Sequence, residues 1–207
     1  MRQNYDILKE RYPSATIVPG FIRSDVALSN GTGRTLFPVK KGDKVAFSCE
    51  NLLDYKDAFA ITRYGIQIIN EVVGNEGVGV RQTYPNIIVF PATDTGLVAE
   101  DLEKIYNGTL AIKVGQDQLI EAYPTANFRV VRTSQQAAAT TRSEALPVDG
   151  FASAEPLVIL RGNDKIEVVL QRPAKSGEGV QLTTTTSKIV KAVFFAQGFT
   201  IYGAGGQ

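Results

Sequence analysis

The side chains that most often carry enzyme chemistry are scarce in this sequence of 207 residues, which has one cysteine, Cys49, and no histidine. A cysteine nucleophile reacts as the thiolate and needs a partner that takes its proton, usually histidine. The sequence therefore predicts a buried thiol with no catalytic role at Cys49. The missing histidine also excludes every histidine-containing triad, and a single cysteine excludes an intrachain disulfide.

The tripeptide Asp94-Thr95-Gly96 matches the Asp-Thr-Gly of aspartic proteases. That chemistry needs two carboxylates that share one proton, so a chain with a single copy would have to act as a homodimer. These proteases usually carry apolar residues before the aspartate and a small residue after the glycine, whereas Thr93 and Leu97 stand here. We therefore favour a helix cap or a turn at Asp94.

Carboxylates in the first third of the chain could gather around a cation. They are Asp43, Glu50, Asp54 and Asp57. Their spacing is not that of a calcium-binding loop, so scattered, solvated carboxylates are the favoured interpretation. We predict no catalytic residue, no metal and no organic cofactor.

Glycine-containing motifs are also interpreted as turns. Asn30-Gly31-Thr32 and Asn107-Gly108-Thr109 match the glycosylation pattern, but both are ordinary turn sequences and we favour the turn. Gly74, Gly77 and Gly79 form neither a dinucleotide-binding fingerprint nor a phosphate-binding loop, because no Gly-Lys-Ser/Thr follows them.

Composition excludes several classes of partner. The 22 basic and 21 acidic residues give a net charge of +1, which provides no general attraction to nucleic acid or to an anionic membrane. Lys188 and Lys191 make the C-terminal end only slightly basic. The absence of tryptophan weakens a sugar-binding interpretation. Residues 1–6 lack the apolar stretch of a signal peptide, and no apolar run approaches the roughly 20 residues of a membrane helix.

Alternating apolar residues and turn signals predict many short strands. The predicted strands are 22–28, 45–47, 59–68, 87–90, 110–114, 128–131, 156–160, 166–170 and one long closing strand made of 189–195 and 199–202, with 36–39 as a short edge piece. Residues 50–73 also fit a helix; we favour a strand with a β-bulge at Gly65, where the alternation slips. Residues 3–11 and 94–106 are predicted helices. Residues 133–145 are a predicted long loop, and residues 183–187 are either the start of an edge strand or a contact between subunits.

The stretch 156–202 is predicted to hold the central, buried strands. The Gly/Asn/Asp cluster of residues 161–165 is typical of a turn and predicts a hairpin between 156–160 and 166–170, followed by a long closing strand. Within the hairpin, Ile166, Val168 and Leu170 should face the core.

These elements predict an all-β protein, a jelly-roll-type β-sandwich of about eight strands with one or two short helices. Residues 1–20 are predicted to be an N-terminal arm and linker, and residues 21–207 a single sandwich domain. A helix as short as that of residues 3–11 is unstable alone, so we expect residues 1–16 to lie outside the sandwich and pack on a neighbouring subunit.

Three stretches in the second half carry a resemblance: residues 106–113, residues 123–128, and residues 146–151 together with Glu155-Pro156. In their general composition and their order along about residues 105–202, they resemble structural proteins of small tailless icosahedral bacteriophages with jelly-roll capsids. The resemblance implies a capsid subunit that self-assembles through its loops and ends within the virion and has no catalytic residues. Its implied partners are copies of itself and other capsid proteins, with an internal membrane as a further candidate.

One departure from this pattern concerns nucleic acid. Many simple jelly-roll capsid subunits have a strongly basic N-terminal arm, whereas the basic residues of 1–16 are nearly balanced by Asp6 and Glu10. Nucleic-acid contact is therefore expected to be weak or absent, and no small-molecule substrate is expected. The alternatives are a ligand- or glycan-binding sandwich, such as a virion spike that binds a receptor, and third a homodimeric aspartic protease that uses Asp94.

Overall fold

The computed structural model of the protein describes residues 2–28, 33–42, 49–72, 74–75, 79–85, 90, 102–131, 150–172 and 188–204. Helix α1 is Arg2–Arg11, and the strands are β1 (Thr16–Ala27), β2 (Arg34–Phe37), β3 (Cys49–Glu50), β4 (Ala58–Val72), β5 (Thr109–Val114), β6 (Asp117–Pro124), β7 (Ala152–Arg161), β8 (Ile166–Gln171) and β9 (Lys188–Tyr202). Two 3₁₀ helices are Lys104–Asn107 and Thr125–Phe128. Within these ranges, no helix is long and apolar enough to span a bilayer.

The strands form two antiparallel sheets that share one core. Sheet A has the order β3-β1-β9-β4-β7, and sheet B has the order β2-β8-β5-β6. Apolar side chains from both sheets meet between them and form the core. We call the side of each sheet that points to this core its inner face and the opposite side its outer face. Fully buried members of this core include Ile66, Phe194, Leu110, Val168 and Leu170. The prediction of an all-β sandwich is confirmed.

The strands pair in a nested order. The first long strand, β1, pairs with the last, β9; β2 pairs with β8, β4 with β7, and β5 with β6. Two further pairings, β4 with β9 and β5 with β8, join these pairs into the two sheets. The two-residue β3 is added at the edge of sheet A beside β1.

The bulge predicted in β4 exists, but at a different residue. The register of β4 against both neighbours shifts between Ile61 and Arg63, whereas Gly65 was the predicted position. Gly65 instead allows a close approach, because a Cβ there would collide with the carbonyl oxygen of Gly150. The bulge reverses which residues of β4 face the core.

The predicted hairpin over residues 156–171 is wrong. β7 belongs to sheet A and β8 to sheet B, so residues 162–165 connect the two sheets instead of two neighbouring strands. β7 is also an edge strand and not a central one. The predicted core-facing side of β8 is correct, since Val168 and Leu170 are fully buried.

The predicted strand at residues 128–131 is also wrong. Residues Thr125–Phe128 form a 3₁₀ helix, and the strand of this region is β6, which precedes it. The Thr125 hydroxyl accepts a hydrogen bond from the Gly108 amide (3.0 Å) and lies 2.9 Å from the Ile105 carbonyl oxygen, to which it donates. These bonds hold the chain at the end of β6. Mostly exposed side chains on β6 hide it from an analysis of apolar alternation.

Several predicted segments lie wholly outside the described residues. They are the strand at 45–47, the turn at Asn30-Gly31-Thr32, the loop at 133–145 and the run 183–187. Of the predicted strand 87–90, the structure describes only Phe90, which is buried and is not assigned to a strand. Of the predicted helix 94–106, the described part is helical, at residues 102–107.

Helix α1 packs on the protein's own sheet A. Its Leu8 is fully buried, and Tyr12 just after it is 3% exposed, in a cluster with Ala58 and Phe199 on the outer face of the sheet. The expectation that this segment lies outside the sandwich and packs on another subunit is therefore wrong. Residues 16–20, predicted to be a linker, are the first part of β1.

Truncation of Leu8 tests this docking. We expect Leu8→Ala to lower the free energy of unfolding by roughly 2–5 kcal/mol, because it leaves a cavity beneath the helix. Ile7→Ala is the matched control, since Ile7 is 46% exposed on the same turn. Urea unfolding followed by circular dichroism measures both. Equal, small effects would contradict the docking of α1 on sheet A.

Candidate functional site

The outer face of sheet A carries several acidic and basic side chains, of which Arg23, Asp25, Glu71 and Lys191 are buried. The side chains of Lys191 on β9 and Glu71 on β4 are 0% and 1% exposed, and the Lys191 ammonium donates a hydrogen bond to Glu71. On β1, Arg23 donates two hydrogen bonds to Asp25, Nε to Oδ1 at 2.9 Å and Nη2 to Oδ2 at 2.6 Å. Arg23 also reaches Glu50 on β3, at 3.3 Å.

Strand parity explains why these charges share one face. Ile22 belongs to the core between the sheets, so its neighbour Arg23, and Asp25 two residues on, point to the opposite side. Register then places Ala27 of β1 beside Lys191 of β9. Six charged side chains lie together on this face, and we call them the outer-face network: Arg23, Asp25, Glu50, Glu71, Arg81 and Lys191.

Residues 79–85 lie against this network. The backbone of Gln82 exchanges two hydrogen bonds with Ile68 of β4, at 2.8 and 2.9 Å, which extends the sheet beyond the end of β7. The Gly79 amide donates to Glu71 Oε1 at 3.3 Å. The Arg81 guanidinium lies 4.4 Å from the centre of the Phe195 ring, in cation–π geometry.

The charges within the network balance. It contains three cations and three carboxylates. Arg23, Asp25, Glu71 and Lys191 are buried, and each has an oppositely charged neighbour, while Glu50 and Arg81 are exposed at the edge of the network. Burial disfavours the charge on Arg23, but the hydrogen bond and charge of Asp25, together with Glu50 and Glu71, raise the pKa of Arg23 above its ordinary value. Burial, together with the charge of Arg23, lowers the pKa of Arg81. Such an arrangement fixes strand register.

A second feature is a cavity at one end of the sandwich, which we call the edge cavity. Its volume is about 240 Å³, and it lies between residues 18–22 of β1 and the segment 51–57, with Tyr202 of β9 at its wall. Lys41 and Asp54 form an exposed ion pair at its rim, at 3.3 Å. The Lys56 amide, and then Lys41, hold the pKa of Asp54 below its ordinary value.

The carboxylates that the sequence offered as a cation site do not gather. Glu50 pairs with Arg23, while Asp54 pairs with Lys41 at the edge cavity. Asp57 Oδ1 accepts a hydrogen bond from the Gly203 amide at 2.9 Å. Asp43 lies outside the described residues, as does Asp94 of the protease-like tripeptide. In the part of the chain that is described, no three such side chains are placed to hold a metal ion.

The other residues considered from the sequence are dispersed. Cys49 is half-buried on β3, and its Sγ lies 3.8 Å from Ser24 Oγ. Gly108 separates a 3₁₀ helix from β5, and a Cβ there would collide with the carbonyl oxygen of Gln171. Gly74 has a φ of 88°, as a turn glycine does. Gly77 lies outside the described residues.

Comparison with known proteins adds no relative: no family model, no curated protein and no solved structure matches this chain. The fold and the two features described above therefore define the protein's class, which is an all-β sandwich with a partly buried charge network on one outer face. Sequence reasoning missed the network because it interpreted Lys191 only as part of a slightly basic C-terminal end. The usable signal was a lysine at the centre of the apolar run 189–195.

Removal of one member of the buried pair tests the network. We expect Lys191→Met to lower the free energy of unfolding by roughly 3–5 kcal/mol, because it leaves the Glu71 carboxylate buried without its cation. The double variant Glu71→Leu/Lys191→Met should recover most of that loss. Chemical unfolding of the two single variants and the double variant forms a double-mutant cycle. Additive effects would show that the pair is not coupled.

Proposed function

We propose that the protein is a capsid subunit that self-assembles into the icosahedral shell of a small tailless bacteriophage. In this proposal it resides in the virion, has a structural and non-enzymatic role, and has as partners copies of itself and other capsid proteins. Nucleic acid is at most a weak partner, given the net charge of +1. An internal membrane beneath the shell is a further candidate partner.

The observation that carries the proposal is the nested strand order. A jelly roll is an antiparallel hairpin of eight strands wound into two sheets, so the first strand pairs with the last, the second with the seventh, and so on inward. Apart from the two-residue β3, the pairs β1–β9, β2–β8, β4–β7 and β5–β6 follow that rule. We infer a jelly roll on this basis. Viral capsid proteins are one group that uses it, alongside lectins and cupins.

Composition favours the capsid over a metal-dependent enzyme on the same fold. The chain has no histidine, the commonest side-chain ligand of catalytic transition metals, so a metal-dependent enzyme on this fold is disfavoured. A net charge close to zero gives little long-range repulsion between copies, and this favours association at high concentration. The resemblance of residues 105–202 to phage capsid proteins points the same way.

The long strand edges carry features that discourage random pairing with other sheets. Pro156 stands within the edge strand β7, and Pro19 stands within β1, on the stretch that β3 leaves unpaired. β6 carries Asp117 and Glu121. Proline and charged side chains limit edge-to-edge aggregation, so contacts between subunits are expected through loops, faces and chain ends.

Assembly of the purified full-length chain tests the proposal. We expect a concentration-dependent shift from monomer or small oligomer to closed particles of uniform diameter, followed by light scattering and by electron microscopy. Circular dichroism on the same samples verifies that the protein is folded. A folded protein that remains monomeric at every concentration and ionic strength, or forms only irregular aggregates, would contradict self-assembly.

A further inference from the structure

The edge cavity exists because the chain leaves the edge of β1 after a very short pairing. β3 contacts β1 only at Arg23 and Ser24, and the next residue, Asn51, has a φ of 53° that turns the backbone away. Residues 51–54 and 57 then line the cavity together with residues 18–22 of β1. Gly20 and Thr200 both line the cavity and lie close together, since a Cβ on Gly20 would lie 2.8 Å from Thr200 Oγ1.

An added peptide strand is a poor occupant of this cavity. Strand addition depends on a row of backbone donors and acceptors along the free edge. Pro19 lies in the middle of the free stretch of β1 and has no N–H to donate. The volume of the edge cavity, about 240 Å³, is also below the roughly 300–1,000 Å³ of drug-sized ligand sites, so the cavity suits a single small molecule.

The polar groups around the cavity define the chemistry of that molecule. Among the described residues, the Asn51 carboxamide has no hydrogen-bond partner, and Asp57 uses only Oδ1, for the Gly203 amide. Lys41 is already paired with Asp54, so Asp57 leaves the cavity with one net negative charge. These groups favour a neutral ligand with several hydroxyls and disfavour an anion.

The wall of the cavity adds an aromatic surface. Tyr202 is 50% exposed and lines the cavity. A half-exposed tyrosine ring offers an apolar face beside a polar rim. A pyranose combines an apolar face of C–H groups with outward hydroxyls, and this pattern complements an aromatic ring beside amide and carboxylate groups. Tyr202 thus supplies the platform that a chain without tryptophan was expected to lack.

We propose that the edge cavity binds the ring of a neutral pyranose sugar. One face of the ring packs on Tyr202, and its hydroxyls donate to the free oxygen of Asp57 and bond to the Asn51 carboxamide. This inference does not rest on the proposed capsid function, because the cavity is formed within one chain. Assembly and sugar binding can therefore fail separately.

Saturation-transfer NMR on the full-length protein tests the proposal, because it observes the sugar and works on single chains and on large particles. The probes are the methyl pyranosides of glucose, galactose and mannose, with N-acetylneuraminate as the anionic comparison. We expect at least one neutral sugar to bind with a dissociation constant on the order of 1 mM, and N-acetylneuraminate to bind more weakly. No signal from any neutral sugar at roughly ten times that concentration would overturn the proposal.

Variants then locate the binding. Tyr202→Ala should weaken it by about tenfold, while Tyr202→Phe should retain it within about twofold, because the ring is kept. Asn51→Gly should weaken binding several-fold while tolerating the positive φ. Tyr55→Ala is the matched control, since Tyr55 is 70% exposed on the same segment without lining the cavity. Binding that Tyr202→Ala and Asn51→Gly leave unchanged would overturn the assignment to this cavity.

Discussion

The structure depends on the placement of β9 between β1 and β4. β9 pairs with β1 from Lys191 to Tyr202, and with β4 from Lys188 to Ile201 apart from the bulge, so its backbone groups are bonded on both sides. Gly198 permits this close pairing, because a Cβ there would collide with the carbonyl oxygen of Ala60 in β4. Since the C-terminal strand joins the first strand to the middle of the chain, sheet A is complete only when the whole chain has folded.

Sheet A is covered on its outer face by two chemically different surfaces. At one end, Leu8 of α1 packs on alanine, phenylalanine and isoleucine side chains of β4 and β9. At the other end, the pairs Lys191–Glu71 and Arg23–Asp25 are buried with residues 79–85 against them. A sheet with both faces covered has strands that cannot slip by one residue, because a slip would move buried charges into the core. We infer that the network contributes specificity of register more than net stability.

Local pattern was sufficient to predict elements with one buried face and insufficient for relations between distant parts. Ile166, Val168 and Leu170 share one side of β8, with Glu167 and Gln171 on the other, so β8 and its core side were predictable although Val169 is also apolar. The polar turn composition of residues 162–165 suits a connection within one sheet and a connection between two sheets equally well. The sequence could therefore not distinguish a hairpin from a crossover between the sheets. Burial of Lys191 depends on Glu71, which is far away in sequence, and the edge cavity depends on where β3 ends; neither relation has a local signature.

The central claim is that β9 is the middle strand of a nested sandwich, and site-resolved amide hydrogen exchange tests it most directly. The amides of a strand that is paired on both sides exchange only when the sheet opens, whereas an edge strand can open alone. The account predicts the slowest exchange in residues 190–198 of β9 and in the β4 and β1 residues opposite them, with faster exchange in the edge strand β6. Exchange in β9 as fast as in β6 would contradict it.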